Sequence, residues 1–312
     1  MTARVGHASG SRAGGILGAR QAPPTGIRRE ERRTAFLMVS PAVLLIVAIA
    51  FLPVLYTIWL SLHDATVTRT GEFVGLRNFT DAFDDPVFRE AVANTSIFTV
   101  VSVSIELVLG LGIALAINRA FRGRGAVRAS VLVPWAFPVV ISALMWRLML
   151  QDQVGIISHL VHEIGLTGDP ILSDRTALMV AAIGVDVWKT TPFMALLLLA
   201  GLQTIPRDVI DASLVDGAGP VQRLFRVTLP LLKPAILVAL LFRTLEAWSV
   251  YDLFWVMSDR RLESLSTYVF EGVRVSQLQF STGTAAAVFV FVSAIVIALA
   301  YIKGLGARTL ED

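Results

Sequence analysis

The sequence lacks cysteine and is poor in charged side chains. None of its 312 residues is Cys, and only 16% are Asp, Glu, Lys or Arg. The absence of cysteine excludes a disulfide framework, thiol catalysis and cysteine metal ligands. So few charges cannot provide the polar surface that a soluble domain of this length needs. These two shortages argue against both a disulfide-rich secreted protein and an ordinary soluble domain.

Histidine is scarce, and a nucleotide-binding loop is missing from the sequence. Only His159 and His162, among four His residues, lie close together, and we expect a solvated pair rather than metal ligands. No Gly-x-x-x-x-Gly-Lys-Ser/Thr run occurs, so the chain has no P-loop for ATP. The sequence therefore predicts no metal site and no catalytic residues.

Apolar residues are what the sequence has in abundance, at 55% with a mean hydropathy of +0.69. A helix needs ~20 residues to cross ~30 Å of hydrocarbon. Six segments are long enough, namely Phe36–Leu60, Ala93–Ile117, Ala129–Leu150, Leu178–Leu202, Pro234–Val256 and Thr284–Ile302. Lipid offers no hydrogen-bond partner to the backbone, so each should be α-helical, with kinks or ends at Pro41, Pro53, Pro138 and Pro192. The predicted fold is an all-α polytopic membrane protein with six transmembrane helices.

The distribution of Lys and Arg predicts the orientation of these spans. Seventeen lie in the two tails and in the second-to-third and fourth-to-fifth connections, against seven in the other three connections. The excess places both termini, and the connection 205–232, in the cytoplasm. The net charge of +3 does not indicate a nucleic-acid partner, because the arginines are scattered at helix ends.

The domain boundaries follow from composition. Residues 1–34 are rich in Gly, Ser, Ala, Arg and Pro and largely lack apolar periodicity, so we expect a disordered cytoplasmic tail. The first apolar stretch is too long for the core of a cleavable signal peptide. The six-helix transmembrane domain should cover 35–305, and residues 306–312 should form a short cytoplasmic C-terminus.

The connection 205–232 has the pattern helix, turn, helix. Pro206 to Asp208 opens a helix with an acid near its positive end. Gly217 to Pro220 should break that helix, and Val221 to Thr228 should resume it for a turn or two before Pro230. Small side chains in the first helix and turn would let another protein's backbone come close. We interpret the connection as a docking surface.

The spacing of this connection resembles the "EAA" signature of ABC-importer permeases, Glu-Ala-Ala, Gly and Ile-x-Leu-Pro. Asp211, Ser213 and Val227 replace the signature's Glu, second Ala and Ile. The resemblance implies that the docked partner is an ATPase, coupled through Asp211, Ala212, Ser213, Asp216, Gly217, Ala218, Leu229 and Pro230. An ordinary amphipathic helical hairpin at the membrane surface is the alternative.

Charged residues lie near the middle of two predicted spans, with an acid and a base three residues apart in each. They are Asp186 and Lys189 in the fourth span, and Arg243 and Glu246 in the fifth. Both pairs should face the bundle interior and line a polar route. Alternatively they only stabilise helix packing, and replacing both Arg243 and Glu246 by Gln should then preserve assembly. Glu106 in the second span also needs a partner, which the sequence does not identify.

A broader resemblance covers about Arg33 to Tyr301. The runs 73–79, 122–124 and 132–135 are similar to those of carbohydrate-importer permeases of the maltose-transporter larger-subunit type, although Ser258 to Arg261 replace the family's Gly-Gly-Pro run. The resemblance implies sugar contacts at Lys189, Thr190, Phe193, Glu246 and Ser249. Aromatic rings can stack on a pyranose while polar groups bind its hydroxyls. The predicted pathway therefore also includes Asp186, Arg243, Trp248, Tyr251 and Asp252.

This family resemblance implies one of two permease subunits of an ABC importer in the bacterial inner membrane. The solute would be a sugar, with a disaccharide expected and trehalose as the specific hypothesis. The implied partners are a second permease, a cytoplasmic ATPase dimer that holds ATP and Mg, and an extracytoplasmic sugar-binding protein, while this chain binds no cofactor. The alternatives are an ABC permease for a glycerol-phosphate or a polyamine, and a secondary transporter, which would predict inverted internal repeats.

Overall fold

The computed structural model describes residues 25–119, 122–165, 170–275 and 279–306, which are mostly helical. The α-helices are α1 Thr25–Ile46, α2 Leu52–Ser61, α3 Arg77–Asp84, α4 Pro86–Asn118, α5 Arg124–Ala136, α6 Val139–Met149, α7 Ile156–Glu163, α8 Arg175–Thr204, α9 Arg207–Val215, α10 Pro220–Arg223, α11 Leu229–Trp248, α12 Asp252–Ser258, α13 Leu265–Phe270 and α14 Phe280–Tyr301. π-helical turns occupy Val47–Phe51, Leu224–Thr228, Glu271–Val275 and Ile302–Gly306. Strands β1 His63–Ala65 and β2 Thr70–Phe73 form a short antiparallel pair, with His63 opposite Phe73.

Five helical segments in the described residues are long and apolar enough to cross a membrane, namely Glu31–Ser61, Pro86–Asn118, Arg175–Thr204, Pro220–Trp248 and Phe280–Gly304. α5 and α6, which meet at 86°, make a sixth when the two helices are counted as one broken span. These segments overlap the six predicted spans and confirm the all-α membrane fold. α1 already begins at Thr25, inside the segment predicted to be a disordered tail, whereas residues 1–24 and 307–312 lie outside the described residues.

Two predicted spans are interrupted in the structure. The third is broken between Ala136 and Val139, as its Pro138 predicted, because Pro138 cannot donate the N–H that would continue α5. The fifth ends at Trp248 instead of Val256, because Ser249 leaves the helical conformation, with φ −99° and ψ 19°. α12 then starts at Asp252, an acid at the positive end of a new helix. Pro41 and Pro192, by contrast, lie inside continuous helices.

The chain divides into two compact units, Met1–Val54 and Leu55–Asp312. The first contains α1 and the π-helical turn after it. In the second, α8 is the most buried span and packs against α4, α5 and α11. Its neighbours approach closely at small residues: a Cβ added to Gly110 of α4 would lie 2.7 Å from Cγ of Met194, and one added to Gly201 would collide with Ala235 of α11.

The connections at the opposite end of the second unit from α9 are held by buried polar contacts. The Asn94 amide donates to the carbonyl of Glu263 at 2.8 Å, and the Leu265 N–H donates to Oγ1 of Thr95 at 2.9 Å. The Tyr268 hydroxyl donates to the Asp85 carboxylate at 2.8 Å. These bonds hold α13 against the start of α4. The Ser264 hydroxyl, directly before α13, donates to the carbonyl of Val250, which lines the cavity described below.

Candidate translocation and coupling sites

The connection 205–232 folds as the sequence predicts up to its turn. α9 follows Pro206 and carries Asp208 in its first turn. Gly217 has φ +77°, a left-handed conformation that favours glycine, and α10 begins at Pro220. The N–H of Gly217 donates to the carbonyl of Leu214 at 3.1 Å, which closes the helix end.

The second half of this connection differs from the prediction. α10, the π-helical turn Leu224–Thr228 and α11 succeed one another without a break, so Pro230 does not end the helix. In the π-helical turn, the Leu229 N–H bonds to the carbonyl of Leu224, five residues earlier. This wider hydrogen-bonding pattern accommodates Pro230, which has no N–H to donate. The span that begins in the docking connection is therefore continuous with the span that carries Arg243 and Glu246.

Two apolar residues at the tip of α9 are strongly exposed. Val215 is 88% and Leu214 is 52% exposed, whereas Ser213 beside them is buried and donates to the carbonyl of Ile210 at 2.6 Å. Exposed apolar side chains next to a turn outside the spans are typical of an interface with another protein. The motif did not identify this pair; their position directly before Asp216 and Gly217 was the available signal.

Arg243 is the centre of a buried polar cluster. Its side chain is 1% exposed, and it donates to both carboxylate oxygens of Glu106, from Nε at 2.6 Å and from Nη2 at 2.9 Å. The Thr190 hydroxyl donates to the same carboxylate at 2.7 Å. This two-pronged pairing satisfies Glu106, which is itself fully buried, and identifies the partner that the sequence could not.

Two further carboxylates approach the same guanidinium. Nη2 of Arg243 donates to Asp186 at 3.1 Å, and Nη1 donates to Glu246 at 2.7 Å. The Glu246 side chain is 60% exposed, so this carboxylate is held in place on one side and accessible on the other. The Arg243–Glu246 spacing therefore gives the contact that the sequence suggested, and Glu106 and Asp186 complete the cluster.

Lys189 is not engaged as its spacing from Asp186 suggested. Its Nζ donates to the carbonyl of Phe137 at 2.7 Å and approaches that of Trp135 at 3.4 Å. Both carbonyls belong to the end of α5, where the break leaves them without helical donors. The ammonium group thus supplies donors at the break in the third span, and Asp186 bonds to Arg243 instead.

A cavity of about 160 Å³ lies beside this cluster. Eight of the ten predicted pathway residues line it: Asp186, Lys189, Thr190, Arg243, Glu246, Ser249, Tyr251 and Asp252. α6 contributes Val139 and Ser142, which spacing along the sequence does not reveal because the 86° bend brings them there. The cavity combines carboxylates, hydroxyls and one ammonium group, which are groups that bind a polyhydroxylated solute.

The structure places the other two predicted pathway residues elsewhere. The Phe193 ring stacks on Trp135 with centroids 5.7 Å apart, so it packs against α5. The Trp248 indole N–H donates to the hydroxyl of Ser293 at 2.8 Å, because it lies on the face of α11 that meets α14. Spacing alone did not distinguish these faces from the one that carries Glu246.

Aromatic rings still lie next to the cavity. Tyr251, which lines it, stacks on Trp255 with centroids 5.8 Å apart, and Phe270 lies 5.0 Å from the Tyr251 ring. Trp255 follows Tyr251 by one helical turn, a spacing from which the sequence could have indicated this contact. Tyr251 and Glu246 thus line the same cavity, which has aromatic rings at its edge.

The fold and these sites define a class. The chain is a multi-pass helical membrane bundle with a polar cavity between its spans and a helical connection outside them, an architecture found in membrane transport permeases. The chain belongs to the family described as binding-protein-dependent transport system inner membrane component, whose family model matches residues 108–310.

Individual relatives agree with this assignment. The chain is 38% identical over 282 residues to the trehalose/maltose transport system permease protein MalF of Thermococcus litoralis, covering 89% of this chain and 95% of that protein. It is also 38% identical over 291 residues to the trehalose transport system permease protein SugA of Mycobacterium tuberculosis, covering 91% and 92%. A chain of the crystal structure of a bacterial alginate ABC transporter, in complex with an alginate pentasaccharide-bound periplasmic protein, matches with a TM-score of 0.74 over 88% of this chain and 94% of that one. At 23% identity, this last match shows the fold alone.

Proposed function

We propose that this chain is a permease subunit of an ATP-driven importer that carries a disaccharide of the trehalose type into the cytoplasm. The observation that carries the proposal is the Glu246 carboxylate, fixed at 2.7 Å from Arg243 yet 60% exposed at a cavity inside the bundle. A fixed, accessible carboxylate is a strong acceptor for sugar hydroxyls. The names of the relatives, which are trehalose and maltose permeases, support the same solute class.

The exposure of Glu246 also supports a second permease subunit. A carboxylate near mid-span that faced hydrocarbon would be costly, at about 2.5–3.5 kcal/mol on insertion scales. Ser249, also on the cavity, is exposed as well. A second subunit with a polar face would cover both residues and complete the pathway.

The docking connection supports an ATPase partner. Leu214 and Val215 offer apolar contacts at the tip of α9, and the coupling residues Asp211 to Ala218 form the helix end and turn beside them. ATP and Mg would be held by that ATPase dimer, and the extracytoplasmic sugar-binding protein would deliver the solute. The excess of Lys and Arg in the tails and in the connections next to α5 and α10 supports cytoplasmic termini.

The charged residues that line the cavity at Glu246 distinguish between the alternative solutes. Its two bases, Lys189 and Arg243, are already bonded to carbonyls and to carboxylates, so neither offers a free cation to a phosphate. Three acids line the cavity, namely Asp186, Glu246 and Asp252, which outnumber its bases and make a polyamine the second candidate. Sugar and polyamine are therefore the solutes that an experiment must separate.

Competition for uptake separates them. Proteoliposomes that contain the assembled importer, its binding protein and internal ATP would be given labelled trehalose together with excess maltose, spermidine or glycerol-3-phosphate. We expect ATP-dependent trehalose uptake that the second disaccharide reduces and the two charged solutes leave unchanged. Uptake of labelled spermidine by the same proteoliposomes, with no uptake of labelled trehalose, would contradict the sugar proposal and support the second candidate.

A further inference from the structure

A larger cavity lies at the end of the bundle that carries α9. Its volume is about 830 Å³, and its walls come from the end of α4, from α5, from the end of α8 and from both halves of the connection 205–232. Five arginines and one acid line it, namely Arg119, Arg124, Arg128, Arg207, Arg223 and Asp211. The cavity is therefore strongly basic, in contrast to the cavity at Glu246.

These arginines lack counter-charges within the chain as far as the structure describes it. Among the described residues, no carboxylate oxygen lies within 4.0 Å of any of the five guanidinium groups. In Arg128, Nη2 donates to the carbonyl of Ile117 at 3.3 Å, whereas the Nε–H is buried and has no acceptor there. A buried donor that stays unpaired lowers stability, so an acceptor from outside the chain would be favourable.

The remaining lining residues are largely apolar. Leu115 and Leu202 belong to the last turns of the spans α4 and α8, whereas Arg119 and Arg207 follow the ends of those helices. The span ends thus contribute an apolar wall, and the connection contributes arginines together with the apolar Ile205, Ile210, Pro220, Val221 and Leu224. A phospholipid offers both an acyl chain for the apolar walls and a phosphate for the arginines, and basic pockets between spans are known to bind lipid headgroups. A free phosphate ion has no apolar group that would contact the apolar residues of this cavity.

We propose that this cavity binds an anionic phospholipid, with its phosphate held by Arg124 and Arg128. Both arginines lie on α5, across the cavity from Asp211 and Arg207 of α9. A bound headgroup would neutralise guanidinium groups that otherwise repel one another. The lipid would therefore connect α5 to the docking connection. The cytoplasmic placement of the connection 205–232 decides only in which leaflet the lipid lies. The lipid site itself requires neither the proposed solute nor transport activity.

Titration of the purified full-length protein, with its co-purifying subunits, tests the site. Binding of phosphatidylglycerol would be counted by native mass spectrometry for wild type, Arg124→Gln/Arg128→Gln and the control Arg122→Gln/Arg226→Gln. The control removes the same charge from neighbouring positions that are exposed and do not line the cavity. We expect about thirtyfold weaker binding for the cavity variant and a change within about twofold for the control.

Other results would overturn the proposal. Equal losses in both variants would show general attraction between arginines and anionic lipid. Inorganic phosphate that displaces the lipid and binds as tightly would make the ligand a free anion. Loss of the ATPase from the cavity variant, with unchanged lipid binding, would assign the arginines to a protein contact.

A conservative variant covers the case in which the glutamine variant does not fold. Arg124→Lys/Arg128→Lys keeps both charges but loses the two-pronged geometry of the guanidinium groups. We expect this variant to bind phosphatidylglycerol about threefold to tenfold more weakly than the Arg122→Gln/Arg226→Gln control. Binding equal to that of the control would contradict a specific headgroup site.

Discussion

Arg243 shows how one buried cation organises the site at the scale of residues. Burying a guanidinium and the carboxylates of Glu106 and Asp186 carries a large desolvation penalty, which close and complete pairing offsets. Glu246 then accepts a hydrogen bond from Nη1 of Arg243, whose guanidinium Glu106 and Asp186 already hold in place. The carboxylate that faces the cavity is thus preorganised by a pairing that lies behind it.

The same geometry changes how the packing alternative is tested. If Arg243 and Glu246 formed an isolated pair, replacing both by Gln would preserve assembly. In the structure that change leaves Glu106 and Asp186 buried without their counter-charge, so the double variant should be destabilised whichever role Glu246 has. Single replacements of the two glutamates are therefore more informative.

Glu106→Gln and Glu246→Gln make the same chemical change at a buried and at an exposed partner of Arg243. We expect Glu106→Gln to lower the free energy of unfolding by about 3 kcal/mol, because it breaks a buried pair. Glu246→Gln should lower it by less than about 1 kcal/mol, because that side chain is 60% exposed. Thermal unfolding of the purified protein measures both, and equal losses would refute the division into a supporting and an accessible carboxylate.

Sequence spacing predicted the part of this cluster that lies within one helix turn. Arg243 and Glu246 are three residues apart and do meet. Glu106 precedes Arg243 by 137 residues, so their contact depends on the packing of α4 against α11, which no local pattern encodes. Asp186 was correctly expected to face inward, but its partner was misidentified for the same reason.

At the scale of elements, the break between α5 and α6 shapes the cavity. α8 holds the broken span at two points one turn apart, through the Lys189 ammonium on the Phe137 carbonyl and the Phe193 ring on Trp135. The bend places Val139 and Ser142 in the cavity wall. Pro138 predicted a break from sequence, but the 86° angle depends on these contacts with α8 and was not predictable.

The end of the fifth span shows a limit of hydropathy. Apolar residues continue to Val256, so composition extends the predicted span beyond its true end. The backbone instead breaks after Trp248, where Ser249 takes φ −99° and ψ 19°. This break directs Tyr251 and Asp252 into the cavity.

The turn after α9 gives the prediction for the docking connection. Gly217→Asp should leave folding and membrane insertion intact but reduce co-purification of the ATPase at least tenfold, because it strains a residue at φ +77° and adds a charge at the proposed interface. Gly219→Asp is the matched control. Gly219 has φ −65° and precedes α10, where Asp is a favourable capping residue.

A pull-down with the ATPase distinguishes the two glycines. Retention of the ATPase by the Gly219→Asp variant, and its loss from the Gly217→Asp variant, is the expected result. If both variants retained it, the docking assignment would be wrong. If both lost it, added charge anywhere in this turn would explain the effect, and the conformation of Gly217 would not.

At the scale of the whole molecule, the docking connection and the cavity are joined by continuous helix. α10, the π-helical turn and α11 form one span from Pro220 to Trp248, with the predicted coupling residues Leu229 and Pro230 near its start and Arg243 and Glu246 near its end. α8 reaches the same connection from its other side and carries Asp186 and Lys189. If the proposed ATPase docks at this connection, two continuous helices, α8 and the span Pro220–Trp248, join its docking surface to the cavity.

The class of the molecule was predictable because it depends on composition and on motif spacing. Long apolar segments and the Asp211 to Pro230 pattern are sufficient to indicate a transport permease. Solute contacts were less predictable, since Phe193 and Trp248 share spacing with lining residues but face α5 and α14. Helix rotation is set by neighbouring helices, which a single sequence does not specify.

Uptake at limiting sugar concentration tests most directly the central claim that the cavity at Glu246 contacts the transported sugar. Labelled trehalose uptake would be measured in proteoliposomes of the assembled importer with wild-type chain and with Glu246→Gln at equal abundance and assembly. A lost hydrogen bond to a charged group corresponds to about ten- to hundredfold in affinity, so the half-saturating concentration should rise by that factor in the variant. Unchanged uptake by a fully assembled Glu246→Gln importer would contradict the claim.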